Sequence, residues 1–139
     1  MNLTTPVTYI HHSANFDDFN RITIGKGVVI SKNVYFLTHD FSPYCAFKAC
    51  GWRHKKAIPV LGDIKVGENV FIGAYALIMP NTTIGDNCII GAGSVVKGKI
   101  PDNSVLIGNP AKVICPVEKI AEKYKYLFNE AVADKCDGQ

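Results

Sequence analysis

VLGDIKVGENVFIGAYALIMPNTTIGDNCIIGAGSVV, residues 60–96, sets an aliphatic side chain at every sixth position: Val60, Val66, Ile72, Ile78, Ile84, Ile90 and Val96. A repeat of six matches neither the 3.6-residue turn of an α-helix nor the two-residue alternation of a hairpin strand. It fits short strands wound about an axis and stacked coil on coil, each coil burying its apolar edge on the next. The same beat falls earlier on Ile24, Ile30 and Phe36, so the spacing predicts a coil over 21–38 before the main run.

Two further columns keep this register. Four places beyond the anchors stand Val28, Val34, Ile64, Val70, Ala76, Thr82, Cys88 and Ser94, mostly small or β-branched residues suited to the inside of a narrow prism, with Asp40 alone out of keeping. Three places beyond stand Gly27, Asn33, Asp63, Asn69, Asn81, Asn87 and Gly93, residue types that accept a left-handed backbone at a sharp corner. His39 and Tyr75 fall on corner positions where Gly or Asn would be less strained. A side chain on such a corner points outward, which makes His39 a candidate for chemistry.

With 139 residues the chain suits one compact unit. Residues 1–115 read as a β-helix domain, with 1–18 an incomplete first coil or a capping arm and with a loop over 40–59 interrupting the repeat. After Pro116 the spacing becomes helical: Val117, Ile120, Ala121, Tyr124, Leu127, Phe128 and Ala131 share one face. The spacing predicts a C-terminal helix within 116–139 that packs across an open end or side of the coil, where unpaired strand edges need cover.

A net charge of +3, with Lys and Arg scattered, argues against a nucleic-acid partner, and the small basic knot Arg53 to Lys56 reads most simply as a solvated loop. No run of about 18 apolar residues is present to cross a bilayer, and residues 1–12 lack the charged start and apolar middle of a signal peptide. A cytoplasmic protein without membrane insertion is the expectation. Cys45 and Cys50 have no second pair to complete a tetrahedral site, so no metal is expected. Cys88 lies in the inward column and reads as core filling.

The repeat, taken with Thr38-His39-Asp40, Val66-Gly67-Glu68-Asn69-Val70-Phe71-Ile72-Gly73, Gly91-Ala92-Gly93-Ser94-Val95-Val96 and the closing Gly108-Asn109-Pro110-Ala111-Lys112-Val113-Ile114, resembles the hexapeptide-repeat acyltransferases. Within them it is most similar to the maltose, galactoside and polysaccharide O-acetyltransferase group. The resemblance implies a mainly β fold, a left-handed parallel β-helix of hexapeptide repeats, assembled as a homotrimer with acetyl-CoA in the groove between two subunits. It implies that His39 is the catalytic base. It implies contacts to the pantetheine arm along the backbone at Ala74 and Ala92, and phosphate contacts from Lys97, Lys99 and Lys112.

An imidazole suits the removal of a sugar hydroxyl proton during attack on a thioester, because the free group titrates near 6.5. No Ser or Cys is paired with a base in sequence, so direct transfer is expected rather than a covalent acyl-enzyme. Asp40 is a candidate to orient His39. The 40–59 loop is expected to contact the acceptor: Tyr44, Phe47 and Trp52 offer flat apolar surfaces either for sugar rings or for a neighbouring subunit, and Tyr75 is placed with them.

The leading reading is thus an acetyl-CoA-dependent O-acetyltransferase acting on a sugar or polysaccharide. N-acetylation of an amino sugar is the nearest alternative. A zinc hydratase resembling the gamma-class carbonic anhydrases needs three converging histidines, and His11, His12, His39 and His54 do not follow that pattern. A non-catalytic β-helical scaffold is the remaining class.

Overall fold

The computed structural model describes residues 1–3 and 9–130, and over them the hexads wind as a parallel β-helix. The first face stacks Asn2–Leu3, Ile22–Ile24, Ile64–Val66, Thr83–Ile84 and Lys99–Ile100. The second stacks Tyr9–Ile10, Val29–Ile30, Phe71–Ile72, Ile89–Ile90 and Ser104–Gly108, and the third Asn15–Phe16, Tyr35–Phe36, Leu77–Ile78 and Val95–Val96. Among the described residues α1 (Ser42–Ala49) and α2 (Glu118–Lys123) depart from the winding.

Hexad anchors stack directly on one another, so the register is set by side chains the sequence already spaces. Ile30, Ile72 and Ile90 pair in one ladder, Phe36, Ile78 and Val96 in another, and Ile24, Val66, Ile84 and Ile100 in the third. These anchors are buried together with the inward column Val28, Val34, Ile64, Val70, Ala76, Thr82, Cys88 and Ser94. Asn2–Leu3, Tyr9–Ile10 and Asn15–Phe16 add one strand to each face beneath them, in keeping with the first-coil alternative for 1–18. Ile10 lies under Ile30 and Phe16 under Phe36, with the two Phe rings stacked at 4.8 Å between centroids. Val60 breaks the expected pattern: it is exposed, because the chain has not yet rejoined the coil there, and winding resumes at Ile64–Val66.

The corners explain the polar half of the repeat. Gly27, Asn33, Asn69, Tyr75, Asn81, Asn87 and Gly93 all have positive φ, between 53° and 72°. On the corner between the first and second faces, Asn69 Nδ2 donates to Asn87 Oδ1 at 2.9 Å and Asn87 Nδ2 donates to Asn103 Oδ1 at 3.0 Å, so side chains extend the stacking outward. Asp63 and His39 do not share this conformation, and the corner reading of His39 is therefore corrected: it sits in an extended strand, His39–Asp40. Coils approach so closely that a Cβ on Gly67 would run into the next coil at Gly85 and Asp86.

The final strand, Ala111–Pro116, turns back antiparallel on Ser104–Gly108 and covers the last strand of the second face. This strand performs part of the closure expected of the C-terminal helix. Helix α2 is tethered by Val117 N–H donating to Asn103 O at 2.9 Å, and a second helical stretch follows over 125–130. The apolar face is only partly covered among the described residues: Val117 and Ile120 are half-buried, whereas Tyr124, Leu127 and Phe128 are exposed. Ala131 and the rest of 116–139 beyond residue 130 lie outside the described residues.

Two outcomes follow from the stacking. Replacing Asn87 by Ala removes both ladder bonds and puts a residue poorly suited to positive φ at the corner, and is expected to cost about 1–3 kcal/mol in urea denaturation, with Asn87→Gly costing less. Burial pushes the Cys88 thiol up from its ordinary 9.0, opposed next by the backbone hydrogen bond at Ser104 and supported by the smaller effects of the Asp102 and Asp86 charges. The folded state thus favours the neutral thiol, a contribution intact below 9.0 and lost as pH climbs from there through the raised folded value. Peptide mapping after iodoacetamide treatment is expected to find Cys88 unmodified in the native protein and alkylated once guanidinium is added.

Candidate functional site

The winding is interrupted at Thr38, where the coil opens into an arm. Gly62 N–H donates to Thr38 O at 2.9 Å, closing the gap, while His39–Asp40 pairs antiparallel with Val60–Leu61. Between them runs α1, so the segment read as an irregular loop over 40–59 is a two-stranded stem carrying a helix. Asp40 starts that helix: its Oδ1 accepts from Ser42 N–H and its Oδ2 from Ser42 Oγ–H, both at 2.8 Å. These bonds from Ser42, backbone first, hold the Asp40 carboxyl below its usual range, with Lys97 adding attraction. Pro43 lies in the first turn, where its missing N–H is no loss.

Asp40 is therefore engaged with Ser42, and the group that orients His39 is Asp17. Asp17 Oδ2 lies 2.8 Å from His39 Nδ1 and also accepts from Thr38 N–H at 3.3 Å. The carboxylate is the more deeply placed partner, its side chain 16 % exposed against 38 % for His39. A carboxylate only accepts, so the neutral tautomer that suits this contact has its proton on Nδ1 and its lone pair on Nε2. Among the described residues no protein group bonds Nε2. The Phe41 ring meets the imidazole edge-on at 5.7 Å between centroids and limits its rotation. Thr38 is wholly buried, and its Oγ1 has no hydrogen-bond partner among the described residues, a cost of about 1–3 kcal/mol at the point where the chain leaves the coil.

Asp17 was legible in principle. Ile10 and Phe16 stand six apart, as Ile30 and Phe36 do, and aligning Phe16 with Phe36 sets Asp17 under Leu37, beside the arm.

Lys97 shares this edge. With Asp40, Ser42, Pro43, Val60, Met79, Pro80 and Asn81 it lines a cleft of about 280 Å3 at the corner between the third and first faces. Lys99 follows on the first face, above Thr83, whereas Lys112 stands apart on the closing strand opposite Ile107. Ala74, Tyr75 and Ala92 occupy the other edge of the third face, between it and the second. There Gly93 N–H donates to Ala74 O at 2.8 Å, and Tyr75 N–H to Lys32 O at 2.9 Å, so Lys32, Ala74 and Ala92 form one column. Within one chain Tyr75 is therefore across the third face from His39, not beside it. Tyr44 and Trp52 lie on the arm. Tyr44 lines a second cleft with Lys48, Arg53 and His54, and Trp52 stacks on Phe47 at 5.7 Å. Among the described residues no three of His, Cys, Asp and Glu converge as a metal site would require.

Residues 63–98 match the family model described as bacterial transferase hexapeptide (six repeats). A Staphylococcus aureus (strain MRSA252) protein with the provisional name of acetyltransferase is 34% identical over 111 residues, covering 70% of this chain and 56% of its own length. A galactoside acetyltransferase solved in complex with coenzyme A is 32% identical, with a TM-score of 0.67 over 78% of this chain and 52% of that one. A maltose O-acetyltransferase of Clostridium difficile 630 is 29% identical, with a TM-score of 0.57 over 83% of this chain and 65% of that one. The chain thus carries a hexapeptide-repeat domain, and its relatives and structural neighbours are acetyltransferases. It spans about half the length of the relatives it matches.

Because Asp17 fixes the ring, nitrogen-15 NMR of His39 at about pH 8 is expected to show protonated Nδ1 and free Nε2 in the native chain. In Asp17→Ala the two tautomers should mix.

Proposed function

We propose that this chain transfers the acetyl group of acetyl-CoA to a hydroxyl of a sugar or polysaccharide, with His39 as general base. The observation that carries the reading is the 2.8 Å contact of Asp17 Oδ2 with His39 Nδ1, which leaves Nε2 as an unencumbered base on a half-exposed ring. Nε2 takes the proton of the acceptor hydroxyl as its oxygen attacks the thioester carbonyl carbon. The tetrahedral intermediate collapses with cleavage of the carbon–sulfur bond, and the imidazolium returns the proton to the departing thiolate. Asp17 stabilises the imidazolium formed between those steps and keeps the ring from turning. Transfer is direct in this reading, since among the described residues no Ser or Cys hydrogen-bonds His39.

The second and third face corner fits the pantetheine arm of the donor. Ala74 and Ala92 present small side chains there, and neither spends its N–H on a backbone bond among the described residues, leaving donors for amide carbonyls. Lys97 and Lys99 supply positive charge for phosphates, with Lys112 further along. His39 and the Ala74–Ala92 column stand at opposite edges of one face, so a single copy does not close a site around both. A homotrimer that sets one edge against another meets this requirement and puts the reaction at the subunit groove. No helix among the described residues is long and apolar enough to cross a membrane, and use of acetyl-CoA accords with a cytoplasmic location.

Release of free CoA thiol from acetyl-CoA across a panel of sugars, amino sugars and serine tests the reading. His39→Ala is expected to lower turnover by about 100-fold or more, with the oligomer unchanged by light scattering. Full activity in that variant removes the assigned role. A response confined to amino sugars moves the transferred group from oxygen to nitrogen.

A further inference from the structure

The arm holds the chain's positive charge. Between Phe41 and Val60 it carries Lys48, Arg53, Lys55 and Lys56 and not one Asp or Glu, while the whole chain has a net charge of only +3. Elsewhere on the surface Arg21 faces Asp63 and Lys26 faces Glu68. Lys48 and Arg53 have no such partner among the described residues. They instead converge with Tyr44 and His54 on a cleft of about 310 Å3. The Lys48 ammonium is held 4.8 Å over the Tyr44 ring, and His54 Nδ1 lies 3.3 Å from both the N and the O of Lys56, which tethers the ring and leaves Nε2 as its remaining polar atom.

We infer that this cleft binds the carboxylate or phosphate of an anionic saccharide, the acceptor in the acetyl transfer proposed above, on which the word acceptor rests. A guanidinium and an ammonium in one recess, without an internal counter-charge, provide the donors such a group needs. A flat apolar surface for the sugar ring is on the same arm: Trp52, stacked on Phe47, stays 66% exposed. The arm also starts at His39, so a sugar held on it is carried by the element that carries the base. The donor's phosphates are served elsewhere, since Lys97 and Lys99 lie on the coil and Ala74 and Ala92 on its far edge.

Nitrogen-15-labelled protein titrated with glucuronate, glucose 6-phosphate and glucose tests the site directly. Shifts at Tyr44, Arg53 and His54 are expected with the two anionic sugars and not with glucose, the larger response telling carboxylate from phosphate. The double variant Lys48→Ala/Arg53→Ala, with an unchanged circular dichroism spectrum, should lose those shifts. In the thiol-release assay it should raise KM for an anionic acceptor by about 10-fold or more and leave KM for acetyl-CoA unaltered. Equal shifts with glucose, no shift with either anion, or a rise in KM for acetyl-CoA instead would overturn the assignment. Anion binding at the cleft with no acetyl release from any sugar would retain the anion site and defeat the transfer reading.

Discussion

Everything in this molecule depends on coils that repeat one outline closely enough to stack. The backbone of each coil donates its N–H groups to the carbonyls of the next, as Tyr35 does to Ala76 and Leu77 to Ser94, and such bonds form only if neighbouring strands keep the same length and the same corners. That demand fixes the inside, where Ile, Val and Phe repeat, and equally the turns, where Asn and Gly take up positive φ. Close coil spacing also excludes side chains at positions such as Gly67. A β-helix of this kind has few places at which function can be added without breaking the winding.

Among the described residues the winding is suspended once, between the third and first faces. At Thr38 the coil opens, Gly62 closes it again, and between them an entire hairpin and helix are inserted without shifting the ladders above and below. The rigid coil beneath provides what the inserted arm lacks. Asp17, fixed in the lowest coil by its N–H bond to Phe36 O at 3.0 Å, reaches up to grip His39 as it leaves. The His39 ring is thus mounted on the arm and held against a carboxylate of the scaffold.

Much of this was legible in the residues because a period of six is an unusual demand that few other folds make. The anchors, the inward column and most corners could be placed from spacing alone. Errors cluster where the period is interrupted. Val60 obeys the count but precedes re-entry to the coil, and His39 falls on a corner by arithmetic although the chain has already turned into a strand. The lowest coil is left open as a coil or an arm by the sequence because two extra residues separate Ile10 and Phe16 from their partners, compared with the eighteen-residue spacing that joins Phe71 to Ile89. With that coil went Asp17. The exposed apolar face after Pro116 was foreseen in pattern but not in placement, since periodicity tells which residues share a face and not what meets it.

The top of the coil has a further consequence. Its last turn is tighter, with Thr83 pairing with Lys99 and Ile89 with Val105, and the chain then doubles back so that Ala111–Pro116 runs against the direction of every ladder below. A parallel stack is otherwise an open-ended template onto which another copy could add its first strands. Reversal of the final strand denies the second face that continuation, and the tapered turn spoils the outline for the others. The same ending that finishes the domain therefore guards it against growing into a fibre.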